Sequence, residues 1–112
     1  MDEKANRVQI ANISIQDADT EVSWAFPKGV QWFTLQSRDG AAIRLATESG
    51  LVASSQPPYF TVKTDNAWDE KQLRVNIRQG LKLFFACAAA GKVIEVIMGV
   101  YDPEAEDEKR WQ

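Results

Sequence analysis

Carboxylates recur at short intervals in two places of this sequence. Asp17, Asp19 and Glu21 occupy alternate positions, and in an extended chain that spacing turns three carboxylates to one side. Such a cluster would suit a hard, oxygen-ligated cation, but no glycine-turned calcium loop accompanies it, and a solvated acidic loop is the plainer reading. Asp65, Asp69 and Glu70 offer the acid and the base that hydrolysis needs across a cleft. Loop carboxylates also meet by chance, so a structural role is preferred here too. The lone cysteine, Cys87, stands in Phe84-Phe85-Ala86-Cys87-Ala88, and the chain contains no histidine. Nothing of that type activates the thiol, so Cys87 reads as a small buried hydrophobe. A Ser-His-Asp hydrolase is excluded for the same reason. P-loop, dinucleotide and Cys-x-x-Cys patterns are absent. The expectation is a protein that is not an enzyme, with no cofactor and no metal.

Aromatic residues are the second candidate set. Trp24, Trp32 and Trp68, joined by Tyr59 and Tyr101, are of the type that lines sugar-stacking platforms on β-sandwich binding modules. Core packing is the stronger reading for Trp24, which alternates with Val22 and Phe26. Trp32 shares a face with Val30 and Thr34, opposite Phe33 and Leu35, so one of these sides is expected to leave the core and meet a partner. Trp111 has no local core to join; it is either idle or an anchor in a neighbouring subunit's groove. Trp111, Arg110, Pro103, Trp32 and Trp68 are therefore the candidate partner-interface residues.

Length and charge bound what must hold these residues. The chain has 112 residues, 26% charged and 45% hydrophobic, enough for one domain with its own core and too few for two. Its net charge is −3, of which the last ten residues, carrying Glu104, Glu106, Asp107 and Glu108 against Lys109 and Arg110, contribute −2. Lysines and arginines are dispersed, which argues against nucleic-acid binding. No apolar h-region opens the chain, and the longest uncharged apolar stretch, Leu83 to Gly91, is too short for a membrane helix. A soluble, cytosolically made protein is expected.

Period two dominates the pattern. Arg7 to Ile15 reads as a strand whose phase slips at Ala11-Asn12, where a β-bulge would fit. Glu21 to Phe26 alternates cleanly and ends at Pro27-Lys28-Gly29. Val30 to Arg38 and the run Ala41, Ile43, Leu45 flank Asp39-Gly40, a hairpin signal that predicts pairing between them. Leu51 to Pro58 reads as a loop, Tyr59 to Lys63 as a strand, and Thr64 to Lys71 as a loop with Trp68 anchored in it. Leu73, Val75 and Ile77 alternate with polar residues as a half-exposed strand. Leu81 to Ala88 and Val93 to Tyr101 are apolar on both faces. About eight short strands with no internal amphipathic helix predict an all-β, antiparallel β-sandwich of jelly-roll-like form, with a small barrel as the alternative. Residues 1–102 would form the single domain, with 1–6 as a flexible arm. Residues 103–112 would form an acidic tail with a short helix capped by Asp102 and opened by Pro103.

The string Trp24-Ala-Phe-Pro-Lys-Gly-Val-Gln-Trp-Phe33-Thr-Leu-Gln36 is followed by Ile43-Arg-Leu-Ala46, Tyr59-Phe-Thr-Val62, Leu83-Phe-Phe-Ala86 and Ala90-Gly-Lys-Val-Ile-Glu-Val-Ile97. It resembles small structural proteins of tailed-bacteriophage virions, in which a strand ending at Pro-x-Gly, a Phe-Thr-x-Gln-x-Arg strand and a closing apolar hairpin recur. The likeness spans about Glu21 to Tyr101. It implies a particle component located in the virion: a head decoration or cement subunit, or a tail- or fibre-associated protein. The implied partners are the major capsid protein or other virion subunits and further copies of the chain, as a dimer or trimer. A carbohydrate-binding module using exposed aromatics is the rival expectation, and a metal-assisted hydrolase a third.

Overall fold

The computed structural model describes residues 5–70 and 81–101. They form eight strands and no helix: β1 Arg7–Ile15, β2 Val22–Ala25, β3 Val30–Ser37, β4 Ile43–Ala46, β5 Phe60–Val62, β6 Ala67–Glu70, β7 Lys82–Ala86 and β8 Lys92–Val100. Two four-stranded antiparallel sheets result, ordered β1-β8-β3-β6 and β2-β7-β4-β5. Consecutive described strands fall in different sheets except β4 and β5, which pair, and this is the winding of an eight-stranded jelly roll, so the expected fold class stands. Inward side chains of both sheets, among them Ile13, Ile15, Phe33, Leu35, Ile43, Leu83, Phe85, Ile94, Val96 and Met98, make one core.

Several local expectations are corrected. β1 carries no bulge at Ala11-Asn12, because its register against β8 runs unbroken from Arg7 opposite Val100 to Ile15 opposite Lys92. The phase slip has another meaning. Ile13 and Ile15 face the core, while Val8 and Ile10 turn to the opposite face and stay exposed. The bulge lies instead in β3, between Val30 and Trp32. That extra residue returns Val30 to the core side, so it does not share the face of Trp32 and Thr34.

Asp39-Gly40 turns the chain but does not pair its flanks. β3 and β4 belong to different sheets. The turn is closed by the Gly40 amide donating to the Ser37 carbonyl (3.2 Å), with Gly40 at a φ of 83° that favours glycine. Its other groups are taken by distant segments. The Asp65 amide donates to the Gly40 carbonyl and the Arg38 amide to the Val93 carbonyl, while Lys92 reaches the Asp39 carboxylate at 2.7 Å. β7 and β8 likewise lie in different sheets, so the closing hairpin does not form as a paired ladder. The expected loop at 64–71 contains β6, whose pairing with β3 places Trp68 opposite Leu35. Polar residues conceal this strand because one of its faces is exposed. The expected strand around 73–77, residues 1–4 of the expected arm at 1–6 and the tail at 103–112 lie outside the described residues, while the Asn6 amide of that arm donates to the Val100 carbonyl at 3.0 Å.

Candidate functional site

The two outer faces of the sandwich differ. On the β2-β7-β4-β5 sheet, Ala46, Phe84 and Ala86 point away from the main core, and Leu51 and Val52 of the β4–β5 connection fold over them as a second apolar cluster. Val52 is completely buried there. Arg44 fastens this cover. Its guanidinium donates to the Ser55 hydroxyl at 2.7 Å and to the Asp19 carboxylate at 2.6 Å, and the Gly50 amide donates to Glu21 at 2.8 Å. Asp19 and Ser55 both adopt left-handed backbone, with φ of 52° and 55°, a conformation that costs most L-residues energy and is held here by shared hydrogen bonds.

This resolves the first carboxylate set. Asp19 and Glu21 are engaged with Arg44 and the Gly50 amide rather than converging with Asp17 on one point. Asp69 accepts a hydrogen bond from Thr34 at 2.8 Å across the β3–β6 ladder, and as its strand neighbour Glu70 points to the opposite face. No cluster of three or more potential metal ligands occurs among the described residues. Cys87 is a free, buried thiol; burial pushes its pKa up, which holds it in the unreactive protonated form.

The outer face of the β1-β8-β3-β6 sheet has no comparable cover among the described residues. Its cross-strand rows follow from the registers. Val8, Gly99 and Trp32 form the first, Ile10, Ile97, Thr34 and Asp69 the second, and Asn12, Glu95, Gln36 and Ala67 the third. In the first row the Trp32 indole lies across Gly99, occupying the space a Cβ there would need. Trp32 is thus half-buried on its own sheet. Beside it Val8, Ile10 and Ile97 expose 61%, 68% and 40% of their surface, which makes a contiguous apolar patch of three side chains rather than scattered residues. The third row is polar. Glu95 accepts from Arg38 at 3.0 Å and from Gln36 at 3.3 Å, and the Arg38 guanidinium, then Gln36, hold its carboxyl below the usual range.

Trp68 lies elsewhere. Its ring meets Phe33 edge-on, with centroids 4.9 Å apart, and Phe60 at 6.0 Å. Phe33 touches Phe26, which touches Trp24, each at 4.7 Å. Five rings therefore run through the sandwich from β2 to β5. Phe60, Val62, Lys63, Asn66 and Trp68 line an open groove of about 390 Å³ between the β5 and β6 edges. The three tryptophans consequently do not form one platform. Trp24 belongs to the ring series, Trp32 to an outer face and Trp68 to a groove. Pro103, Arg110 and Trp111 lie outside the described residues. Sequence reasoning missed Val8, Ile10, Ile97 and Phe60 as surface residues. For the first two the signal is the broken phase of β1, which marks a change of face rather than a bulge. The sequence matches no protein-family model and no curated protein.

Proposed function

We propose that this chain is a non-enzymatic structural subunit of a tailed-bacteriophage particle, a decoration or cement protein that binds the major capsid protein or another virion subunit through protein–protein contacts. A jelly roll does not by itself decide a function. The supporting observation is the contrast between the two outer faces: one is covered by the chain's own β4–β5 connection, whereas the other presents Val8, Ile10 and Ile97 beside Trp32 to solvent. Burying such side chains against a partner stabilises a complex by on the order of 1–2 kcal/mol each. The resemblance over Glu21 to Tyr101 supplies the particle context, and the virion is the proposed location.

Binding of purified chain to assembled particles tests this reading. Wild type is expected to co-sediment with the particles, and Val8→Lys combined with Ile97→Lys to lose binding while keeping its thermal transition. Absence of wild-type binding to heads and tails alike would sink the proposal. The exposed Phe60 ring and the groove it shares with Trp68 support a second reading, a carbohydrate-binding module. It predicts saturable binding on a glycan panel that Phe60→Ala abolishes.

A further inference from the structure

Four strands form the edges of the two sheets among the described residues, and three of them are blunted against further pairing. β2 spans four residues and runs into Phe26-Pro27. β5 spans three residues and follows Pro57-Pro58. β6 carries Asp69-Glu70 among its described residues. Short length, proline and charge are the devices by which sheets discourage edge-to-edge association. β1 has none of them. It runs nine residues, Arg7–Ile15, with an unbroken register, no proline and one charge, at its first position.

We infer that β1 is a self-association edge, pairing antiparallel with β1 of a second copy about a two-fold axis perpendicular to the sheet, so that two four-stranded sheets join into one of eight strands. The occupant follows from the strand's own pattern. An antiparallel two-fold pair opposes residues of the same face only when their numbers share parity. Full overlap centres on Ala11, placing Val8 opposite Ser14 and Ile10 opposite Asn12 of the second copy. Inward residues then continue the inner layer, and outward residues the outer. The single charge favours this direction. A parallel in-register pair would set two Arg7 side chains together, whereas the antiparallel pair sends them to opposite ends. Ile97 already stands opposite Ile10 across the β1–β8 ladder. At the axis Ile10 becomes diagonal to its own counterpart, so the Ile10–Ile97 pairs of the two copies meet there.

This deepens the self-association part of the proposed function and is separable from particle binding. Sedimentation equilibrium over a concentration series, with hydrogen exchange at each concentration, is the test. The full chain is expected to form a dimer, with β1 amides becoming protected as concentration rises. Ile10→Lys, at a position 68% exposed, sets like charges diagonally across the axis and is expected to weaken dimerisation at least about tenfold with an unchanged far-UV spectrum. A second variant, Asn12→Lys, acts in the same direction at the same edge, while Phe60→Lys on β5 leaves dimerisation unaltered. The inference is overturned by a monomer at every concentration, by a dimer that Ile10→Lys and Asn12→Lys leave intact, or by a dimer whose β1 amides exchange as freely as in the monomer. A monomeric Asn12→Lys, which leaves the Val8, Ile10 and Ile97 patch intact, that still binds particles leaves the functional reading standing without the dimer as its basis. A wild-type dimer that binds no particle removes the functional reading and leaves the inference in place.

Discussion

Gly99 shows how one missing side chain shapes the candidate surface. Because the Trp32 indole occupies the position of its absent Cβ, Gly99→Ala must expel the ring or shift β8 against β3. Overpacking of this kind costs roughly 1–3 kcal/mol. A lowered thermal midpoint with increased Trp32 exposure, read by fluorescence quenching, is the expected outcome. Ser37 is the one buried polar side chain beside the core among the described residues. Its hydroxyl donates to Asp39 at 3.0 Å and accepts from the Ala41 amide at 3.1 Å, so Ser37→Ala leaves a turn amide without its acceptor. Chemical denaturation should show a loss of about 1–2 kcal/mol. Neither role was legible in the sequence. Ser37 sits where alternation predicts an inward residue, but its partners are fixed by a turn geometry that alternation does not encode. Gly99 reads as a weak point in a strand until the register sets it opposite Trp32.

At the scale of elements, β8 is anchored at one end by two ion pairs, Arg38 with Glu95 at 3.0 Å and Lys92 with Asp39 at 2.7 Å. Lys92, then Ser37, lower the pKa of Asp39, as Arg38, then Gln36, lower that of Glu95. A carboxyl whose folded pKa lies below its unfolded value contributes stability above the unfolded pKa and loses it as pH falls through the folded one. Stability is therefore expected to decline below roughly pH 4, the ordinary carboxylate range, and Asp39→Asn with Glu95→Gln to flatten that decline in thermal melts recorded against pH. Because both carboxylates are solvent-exposed, the effect should be small and weaken with salt. The β4–β5 connection makes a larger contribution. Val52→Ala opens space in a completely buried site and should cost on the order of 1–3 kcal/mol by denaturant titration. Strand existence was largely readable, since Val, Ile, Phe and Trp alternate through β2, β3, β4 and β8. Strand partners were not. Asp39-Gly40 looks like a hairpin because local turn chemistry is the same whether the chain returns along its own sheet or crosses to the other. The cover formed by Leu51 and Val52 reads as a loop in the sequence because its burial depends on Ala46 and Ala86, small residues that leave room for it.

For the whole molecule, the jelly-roll winding sends successive described strands to opposite sheets except at β4 and β5. Among the described strands only β4 and β5 are both consecutive in the chain and paired with each other. All-β architecture followed from spacing and composition, but the order β1-β8-β3-β6 depends on which distant segments share a ladder, and periodicity carries no such information. The candidate surface was half legible for the same reason. Alternation sets Trp32 opposite Phe33 and Leu35, while its neighbours Val8 and Ile97 become neighbours only through the β1–β8 and β3–β8 registers. The winding also governs the time course of folding. Arg7 finds its partner at Val100, and β8 is the strand shared by β1 and β3, so neither can complete its sheet until the end of the described chain has been synthesised. Contacts between such remote segments must close large loops before they return any free energy, which places folding in the millisecond-to-second range typical of β-sandwiches. On the ribosome, β1 waits with both of its edges unpaired until β8 has emerged.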